Sequence, residues 1–380
     1  MKKHPLRHYQ FPWRKGNRFK LLIDAEQFYA AMLDGIKNAR SSLLFEIYLF
    51  ESGKVADRFL KAFVDAADRG ICVRLMLDDF GCRGLNKADR QRLQHEHIQM
   101  TYYNPVKLGD LRRSLFRDHR KLMIVDQQTA FLGGAGITDA FASGHHRQWR
   151  ETMIQVKGPC VQDWVSLFAS VWSFTGNGEF VEDALTKPRE YANGDNGRAT
   201  CTHALGDHEI KRSLLKRVRQ AERQIWISTA YFVPSRKIRR ALKIAARNGI
   251  EVRLLLPGRH TDHPAVRHAG RRFYTRLLKS GVRIFEYQPR FLHQKVILCD
   301  SWVSIGSSNI DRWNFRWNLE ANQEVESDEF SGLVQAMLDQ DMHDSQEILL
   351  RDWIRRAWYR RVLEWFWGWV DRLLDKTFRH

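Results

Sequence analysis

An internal repeat is the feature of this 380-residue sequence that most restricts its fold. Three stretches of the first half recur in the second half: 39–50 and 221–232, 70–77 and 249–256, and 119–126 and 293–300. Chance similarity would not preserve the order of three segments at a nearly constant offset. The chain is therefore a tandem duplication, and each half contains one copy of the same unit.

Each half alternates helical and strand patterns. In the first half, 26–40 and 55–69 carry apolar residues at helical spacing, whereas 43–50 is a nearly continuous apolar run, typical of a strand buried on both faces. Gly70 ends the second helix, and 73–77 follows as the next strand. Strands that alternate with helices predict an α/β fold with a site near the strand ends.

The charge balance indicates a polyanionic partner. The chain has 62 Lys and Arg against 44 Asp and Glu, a net charge of +18, which suits nucleic acid or an anionic membrane surface. Five scattered cysteines without a CxxC pair argue against a disulfide framework and favour a reducing, cytoplasmic setting. The basic N-terminus has no apolar core, and no run of about 18 apolar residues exists, so we expect neither a signal peptide nor a spanning helix.

A histidine motif is the sharpest chemical feature of each half. It occurs as His119, Lys121 and Asp126 and again as His293, Lys295 and Asp300. Alternate residues of a strand share a face, so each imidazole lies beside an ammonium group. Such a pair suits a phosphate, because the lysine balances the oxygens while the histidine acts as nucleophile or proton donor. Small-residue turns, 133–136 and 306–309, follow the two motifs and can present backbone N–H groups to an anion.

A single His-x-Lys pair would be an ordinary strand feature, but two equivalent copies indicate a shared site. The repeated H-x-K-x4-D with its small-residue turn resembles the phospholipase D superfamily over roughly residues 20 to 345. The stretches 44–50, 281–289, 306–312 and 318–322 look like bacterial cardiolipin synthases of the compact type without transmembrane helices. The resemblance implies two tandem phospholipase D-like α/β sandwich halves that share one active site, followed by a C-terminal amphipathic helix.

The resemblance also implies roles for individual residues. His119 would be the nucleophile that forms a phosphohistidine, and His293 the acid and base, although the near-symmetric sequence does not itself fix that order. Lys121 and Lys295 would neutralise the phosphoryl oxygens, and Ser307 and Asn309 would donate hydrogen bonds to them. Glu151 and Glu320 would be the carboxylates that orient the histidines. Asp126 and Asp300 belong to the motif but are expected to pair with neighbours. Gly136 stands where the family pattern has Asn, which makes the halves unequal.

We expect no cofactor and no metal. The alternative, a zinc site at His260, His263 and His268, has weak spacing, and His145 and His146 lie in a polar loop expected to be solvated.

The domain boundaries follow from the repeat and from composition. They are a basic tail (1–20), the first phospholipase D-like domain (21–185), a polar linker (186–207), the second such domain (208–345) and a membrane-associating amphipathic segment (346–380). In the last segment Trp residues recur at helical spacing and Arg residues fill much of the remaining surface, as an interfacial anchor requires. The alternative is a terminal helix packed on its own domain.

The preferred function is a phosphatidyltransferase that forms cardiolipin from phosphatidylglycerol or a related donor. Its partners would be an anionic phospholipid membrane and phospholipid substrates, with no nucleic acid, and it would lie peripherally on the cytoplasmic face of the inner membrane. The alternative is a phosphodiesterase or nuclease of the same superfamily, which the net charge of +18 would also suit. A non-catalytic lipid-binding protein is disfavoured by two intact motifs. Oligomeric state is left open.

Overall fold

The computed structural model describes residues 10–106, 113–142, 148–175, 187–203, 207–311, 317–357, 362, 364 and 366–370. The first half contains β1 (Arg14–Ile23), α1 (Asp24–Lys37), β2 (Ser42–Ile47), α2 (Lys54–Asp68), β3 (Cys72–Asp78), α3 (Lys87–Arg92), β4 (Ile98–Tyr103), β5 (Arg117–Asp118), β6 (Lys121–Val125), β7 (Thr129–Gly133), β8 (Thr152–Lys157) and α4 (Cys160–Phe174), with short 3-10 helices at Arg113–Leu115 and Asp139–Phe141.

The second half repeats this order with additions. It contains β9 (Asp195–His203), β10 (Asp207–His208), α5 (Glu209–Gln220), β11 (Gln224–Ser228), β12 (Phe232–Val233), α6 (Arg236–Arg247), β13 (Glu251–Pro257), α7 (Pro264–Arg271), α8 (Tyr274–Leu278), β14 (Arg283–Tyr287), β15 (Val296–Cys299), β16 (Trp302–Gly306), β17 (Ile310–Asp311), β18 (Asn318–Glu326), α9 (Asp328–His343), β19 (Ser345–Glu347) and α10 (Leu350–Arg355).

The sheet pairings confirm the duplicated α/β fold. Seven strands in each half follow equivalent orders, β4-β3-β2-β6-β7-β8-β1 in the first half and β14-β13-β11-β15-β16-β18-β9 in the second. The three strands at one end of each sheet are parallel and the other four are antiparallel. The register of the parallel strands is also equivalent, because Leu43 opposes Val73 as Ile225 opposes Val252.

Strand β1 joins the two sheets. Its residues from Arg18 onward pair with β8, whereas Arg14 and Asn17 pair with β9 of the other half. Strand β18 makes a second connection, because its start pairs with β5. The two halves are therefore hydrogen-bonded to each other and not merely packed together.

Three hydrophobic layers stabilise the fold. Helices α1 and α2 cover the outer face of the first sheet, and α5, α6 and α8 cover the outer face of the second. The inner core contains side chains from both sheets and from helices α4 and α9, including Trp164 and Leu338. Burial on this scale is the main driving force for folding, at about 25 cal/mol for each Å² of apolar surface removed from water.

The segment 186–207, predicted as a linker, contributes a strand. Strand β9 lies within it, and Thr200 and Thr202 of this strand are buried beside β18. The polar, turn-rich composition concealed the strand, because its buried positions carry Thr, Ala and Cys and not long apolar side chains. The chain between the halves is therefore part of the second sheet.

The C-terminal segment is only partly described, but one of its tryptophans lies in the core. Trp353 of α10 is 4% exposed, packs on Tyr274 and donates a hydrogen bond from Nε1 to Thr275 Oγ1 at 3.1 Å. Val362, Phe366 and Trp369 are instead about half exposed. Among the described residues, no helix combines the length and the apolar character needed to cross a bilayer.

Candidate active site

The backbone brings each motif histidine to the opposite half of the molecule. The His119 N–H donates to Leu319 O at 3.0 Å, and the His293 N–H donates to Arg150 O at 2.8 Å. The next residues along those two acceptor strands are Glu320 and Glu151. Each histidine therefore lies beside a carboxylate that the other half supplies.

The two His–Glu pairs are crossed and unequal. His293 Nδ1 lies 2.6 Å from Glu151 Oε2, within hydrogen-bonding geometry. His119 Nδ1 lies 2.9 Å from Glu320 Oε1, but the angle falls outside the range of a hydrogen bond, so both atoms lack a partner. Both carboxylates are completely buried. The sequence predicted the two carboxylates but not that each would serve the histidine of the other half.

The two motif lysines lie next to the histidines, as the strand spacing predicted. Lys295 Nζ is 3.4 Å from Glu151 Oε2, and its side chain is 1% exposed. Lys121 Nζ donates to His119 O at 2.6 Å and stands 4.9 Å from the centre of the Tyr48 ring. Both ammonium groups are therefore held at the histidines, where they can balance the charge of a phosphoryl group.

The turns after the motifs contact the two carboxylates differently. At Gly134 a Cβ atom would meet Glu151 Oε2 at 2.2 Å, so only glycine leaves room for this carboxylate. At the equivalent place Ser307 donates its hydroxyl to Glu320 Oε2. The turn sequence thus positions both orienting carboxylates.

The missing first-half asparagine also has a steric explanation. A Cβ atom on Gly136 would lie 2.8 Å from both Leu49 Cβ and Leu49 O, and the Gly136 carbonyl accepts a hydrogen bond from Tyr29. Asn309 occupies the equivalent place in the second half and is fully buried. Its Oδ1 accepts hydrogen bonds from Thr229 Oγ1 and the Tyr231 N–H, at 3.2 Å each. One side-chain amide therefore serves the whole site.

Several buried polar atoms at the site lack a hydrogen-bond partner. They are His119 Nδ1, Ser308 Oγ, Asn309 Nδ2 and Glu320 Oε1. Buried polar atoms without partners are rare and costly, and they mark places where a ligand completes the hydrogen bonding. Asn309 Nδ2 is a donor only, so it requires an acceptor such as a phosphate oxygen.

The electrostatics of the site keep both histidines neutral. Burial lowers the pKa of His293 to about 4, with a further contribution from Lys295, and burial together with Lys121 lowers the pKa of His119 well below its usual value. Burial also lowers the pKa of Lys121 to about 7, although Glu320 opposes this. A bound phosphodiester anion would favour the protonated forms, so substrate binding is coupled to proton uptake.

The two orienting carboxylates differ in charge state. Burial raises the pKa of Glu320 to about 8, despite Lys121 nearby. Burial acts in the same direction on Glu151, but Lys295 and the His293 hydrogen bond outweigh it and the pKa of Glu151 is lowered. Glu151 is therefore ionised at neutral pH, whereas Glu320 is mostly protonated.

Asp126 and Asp300 lie away from the histidines, at the far ends of β6 and β15. Asp126 accepts backbone N–H groups from Arg40, Ser41 and Ser42, at 2.8 to 3.1 Å. Asp300 does the same for Glu222, Arg223 and Gln224 at 2.8 to 3.0 Å. Both have positive φ, 51° and 52°. Their grouping with the catalytic residues is corrected: they fix the start of β2 and β11, as their expected pairing with neighbours implied.

Aromatic rings that we did not predict hold the two imidazoles. Tyr48 packs against His119 with ring centres 4.6 Å apart. Phe141, Trp149 and Phe291 surround His293 at 5.6, 5.0 and 5.5 Å. Only weak sequence signals could have identified these rings as site residues: Tyr48 directly follows β2, and Trp149 lies two residues before Glu151.

The described part of the chain contains no group of three or more His, Cys, Asp or Glu side chains that could hold a metal ion. His263 is mostly exposed and packs on Tyr231, at 5.6 Å between ring centres. His145 and His146 lie outside the described residues.

Two histidines, two lysines and two crossed carboxylates lie beside buried polar atoms without hydrogen-bond partners on a duplicated α/β fold, an arrangement suited to a phosphate group. The family model described as "Cardiolipin synthase, PLD-like domain" matches residues 32–172 and 214–342. Cardiolipin synthase B of Salmonella typhi is 33% identical over 319 residues, which cover 82% of this chain and 76% of that protein. A cardiolipin synthase of Halalkalibacterium halodurans is 30% identical over 352 residues, covering 91% and 70%.

The chain belongs to the phospholipase D-like family of cardiolipin synthases and is a phospholipid phosphatidyltransferase. A solved structure supports the fold: the phosphatidylserine synthase of Haemophilus influenzae aligns with a TM-score of 0.71 at 14% identity, covering 97% of this chain and 96% of that one.

Proposed function

We propose that the enzyme forms cardiolipin from two molecules of phosphatidylglycerol through a phosphohistidine on His119. The observation that carries the proposal is that the two crossed His–Glu pairs adjoin each other, since the charge of Lys295 acts on His119 and that of Glu151 on Lys121, beside buried polar atoms that lack partners. The names of the relatives, cardiolipin synthase, support the choice of lipid.

In the first step, neutral His119 attacks the phosphorus of one phosphatidylglycerol. The bond from phosphorus to the glycerol headgroup breaks, and the departing oxygen takes a proton from His293, whose protonated form the bound phosphodiester anion favours. In the second step, a hydroxyl group of a second phosphatidylglycerol gives its proton to His293 and attacks the phosphorus. Cardiolipin and free glycerol are the products, and both histidines return to their starting state.

The unequal carboxylates support this division of roles. Glu151 is ionised and hydrogen-bonded to His293, so it stabilises the imidazolium that an acid and base passes through. Because Glu320 is mostly protonated, no full negative charge favours an imidazolium at His119, and His119 stays neutral, the state that a nucleophilic nitrogen requires. Lys121, Lys295 and Asn309 can balance the charge on the phosphoryl oxygens.

We also propose that the enzyme attaches peripherally to the cytoplasmic face of the inner membrane. Val362, Phe366 and Trp369 are spaced by four and three residues, and their exposed fractions are 52%, 45% and 47%. Residues at this spacing share one helix face, which can enter the headgroup region of a bilayer.

The test uses phosphatidylglycerol labelled with ³²P and the purified enzyme. The expected result is labelled cardiolipin, with the label trapped on His119 of the wild type after rapid denaturation in SDS at neutral to alkaline pH, where a phosphohistidine survives. Label on His293 would reverse the roles, and release of phosphatidic acid without cardiolipin would contradict the transfer reaction. Cleavage of plasmid DNA in place of lipid would establish the nuclease alternative.

A further inference from the structure

Equivalent helices in the two halves carry opposite charge. Helices α1 and α2 of the first half contain four basic and six acidic residues, a net charge of −2. Helices α5 and α6 occupy the equivalent positions in the second half and contain eleven basic residues and one acidic residue, a net charge of +10. The duplicated fold explains why both pairs exist, but it does not require this difference.

The basic side chains of α5 and α6 line a groove. Arg212, Lys216, Arg219 and Lys237 surround a cavity of about 510 Å³, with Gln220 and Leu215 also in its wall. A volume of this order accommodates a small organic ligand. The four cationic side chains are exposed, and the one acidic residue of the two helices, Glu209, is buried near Arg198. The ligand that fits the groove is an anion.

The geometry of α6 favours a lipid surface as the source of that anion. Lys237, Arg240, Ile244 and Arg247 recur at steps of three and four, so they share one helix face. Ile244 is 46% exposed among these cations. An exposed apolar side chain within a basic stripe suits the headgroup boundary of a bilayer, where the cations reach phosphates and the apolar group enters the membrane.

The groove and the exposed tail belong to the same half of the molecule. Arg272, which directly follows α7, donates to the carbonyl of Gly368 in the tail. Helix α6 begins at Arg236, a few residues after Thr229, which donates its hydroxyl to Asn309 of the active site. A short stretch of chain, 229–236, therefore connects the start of α6 to a residue that contacts Asn309.

We propose that the α5–α6 groove binds the phosphate groups of anionic phospholipids and docks the second half of the enzyme on the membrane. Crowding of like charges supports the assignment, because burial and the charge of Lys237 lower the pKa of Lys211, and bound phosphate would relieve that repulsion. The proposal rests on a lipid-processing function for the enzyme, but vesicle binding tests it separately from turnover.

The experiment compares two variants of the full chain with matched charge changes. The groove variant is R212Q/K216Q/R219Q/K237Q, and the control, K37Q/K54Q/R58Q/K61Q, removes four exposed cations from α1 and α2. Sedimentation is measured with vesicles of phosphatidylglycerol and phosphatidylcholine, and with phosphatidylcholine alone. Each cation near an anionic leaflet contributes about a factor of five, so the groove variant should bind roughly 10²- to 10³-fold more weakly. The affinity of the control for the same vesicles should fall by about threefold or less, because only the lower net charge of the protein weakens its binding.

Activity on detergent-dispersed phosphatidylglycerol should stay within about twofold of wild type for both variants, since neither contains a site residue. Equal loss of vesicle binding in the two variants, or unchanged binding by the groove variant, would overturn the proposal. Binding of a duplex oligonucleotide that depends on the groove, with vesicle binding that does not, would also overturn it.

If the groove variant fails to fold, K216E/R219E makes the same charge change on α5 alone. Absence of turnover in the wild type would contradict the proposed reaction and leave the vesicle result as an independent measurement.

Discussion

His293 and Glu151 make a 2.6 Å hydrogen bond although 142 residues separate them in the sequence. The reciprocal contact joins His119 of the first half to Glu320 of the second half. Neither half therefore contains a complete histidine–carboxylate pair, and a single copy of the repeat could not orient its own catalytic histidine. The duplicated halves must be assembled before either motif can work, which explains why their sheets are hydrogen-bonded through β1, β5, β9 and β18.

We predict that His119→Ala and His293→Ala will each lower kcat by at least about 10³-fold. Loss of general acid–base catalysis alone costs about 10²–10⁴, and loss of the nucleophile removes the covalent route. Turnover of ³²P-labelled phosphatidylglycerol in detergent measures the effect. His343→Ala is the control, because its side chain is 84% exposed and lies on α9, away from the site. Near-wild-type turnover by either folded site variant would contradict the two-histidine mechanism.

Glu320→Gln should stabilise the folded enzyme while it impairs catalysis. The folded-state pKa of Glu320 is about 8, above its usual value of 4.5, so its contribution to stability is complete below pH 4.5 and is lost as the pH rises towards 8. Glutamine removes this dependence. The variant should therefore gain stability over wild type between pH 5 and pH 8, by about 3 kcal/mol. Urea unfolding across that range measures the gain.

Glu151→Gln is the matched comparison and should behave in the opposite way. The pKa of Glu151 is lowered, so its ionised form stabilises the folded enzyme above pH 4.5, and this contribution is lost as the pH falls through the folded-state pKa. The variant leaves Lys295 and His293 without a buried anion and should be less stable than wild type at pH 7. Identical pH profiles for the two Gln variants would show that the two carboxylates do not differ in charge state.

Asp126→Ala should lower stability but leave kcat nearly unchanged. The substitution removes an acceptor for three backbone N–H groups and places alanine at φ 51°, which together cost about 2–4 kcal/mol. Asp126→Asn is the control, because asparagine tolerates positive φ and keeps one acceptor oxygen. Thermal unfolding and kcat below the unfolding temperature are the measurements. A hundredfold fall in kcat with unchanged stability would return Asp126 to the catalytic group.

The sequence allowed the duplicated α/β fold to be predicted, together with eight of the ten proposed site residues, because periodicity and motif spacing are local properties; Asp126 and Asp300 lie elsewhere. The crossed pairing of Glu151 and Glu320 could not be predicted, because it depends on how two similar halves face each other. The burial of Trp353 was also hidden. Trp353, Phe366 and Trp369 all lie in the Trp- and Arg-rich segment whose pattern predicts one amphipathic helix. Only the contact with Tyr274 shows that Trp353 is a core residue while Trp369 is exposed. Strand β9 was missed because buried Thr and Ala resemble loop composition.

The C-terminal aromatic residues should separate into a structural group and a membrane-binding group. Trp353→Ala should lower the free energy of unfolding by about 3–5 kcal/mol, because it removes a buried ring and its hydrogen bond to Thr275. V362S/F366S/W369S should leave stability unchanged, since these side chains are about half exposed. It should weaken binding to phosphatidylglycerol vesicles by about tenfold or more, because three apolar groups no longer enter the bilayer. Sedimentation and urea unfolding distinguish the two effects, and activity in detergent should persist in the triple variant. Loss of stability without loss of vesicle binding in that variant would show that the exposed face packs against the protein and not the membrane.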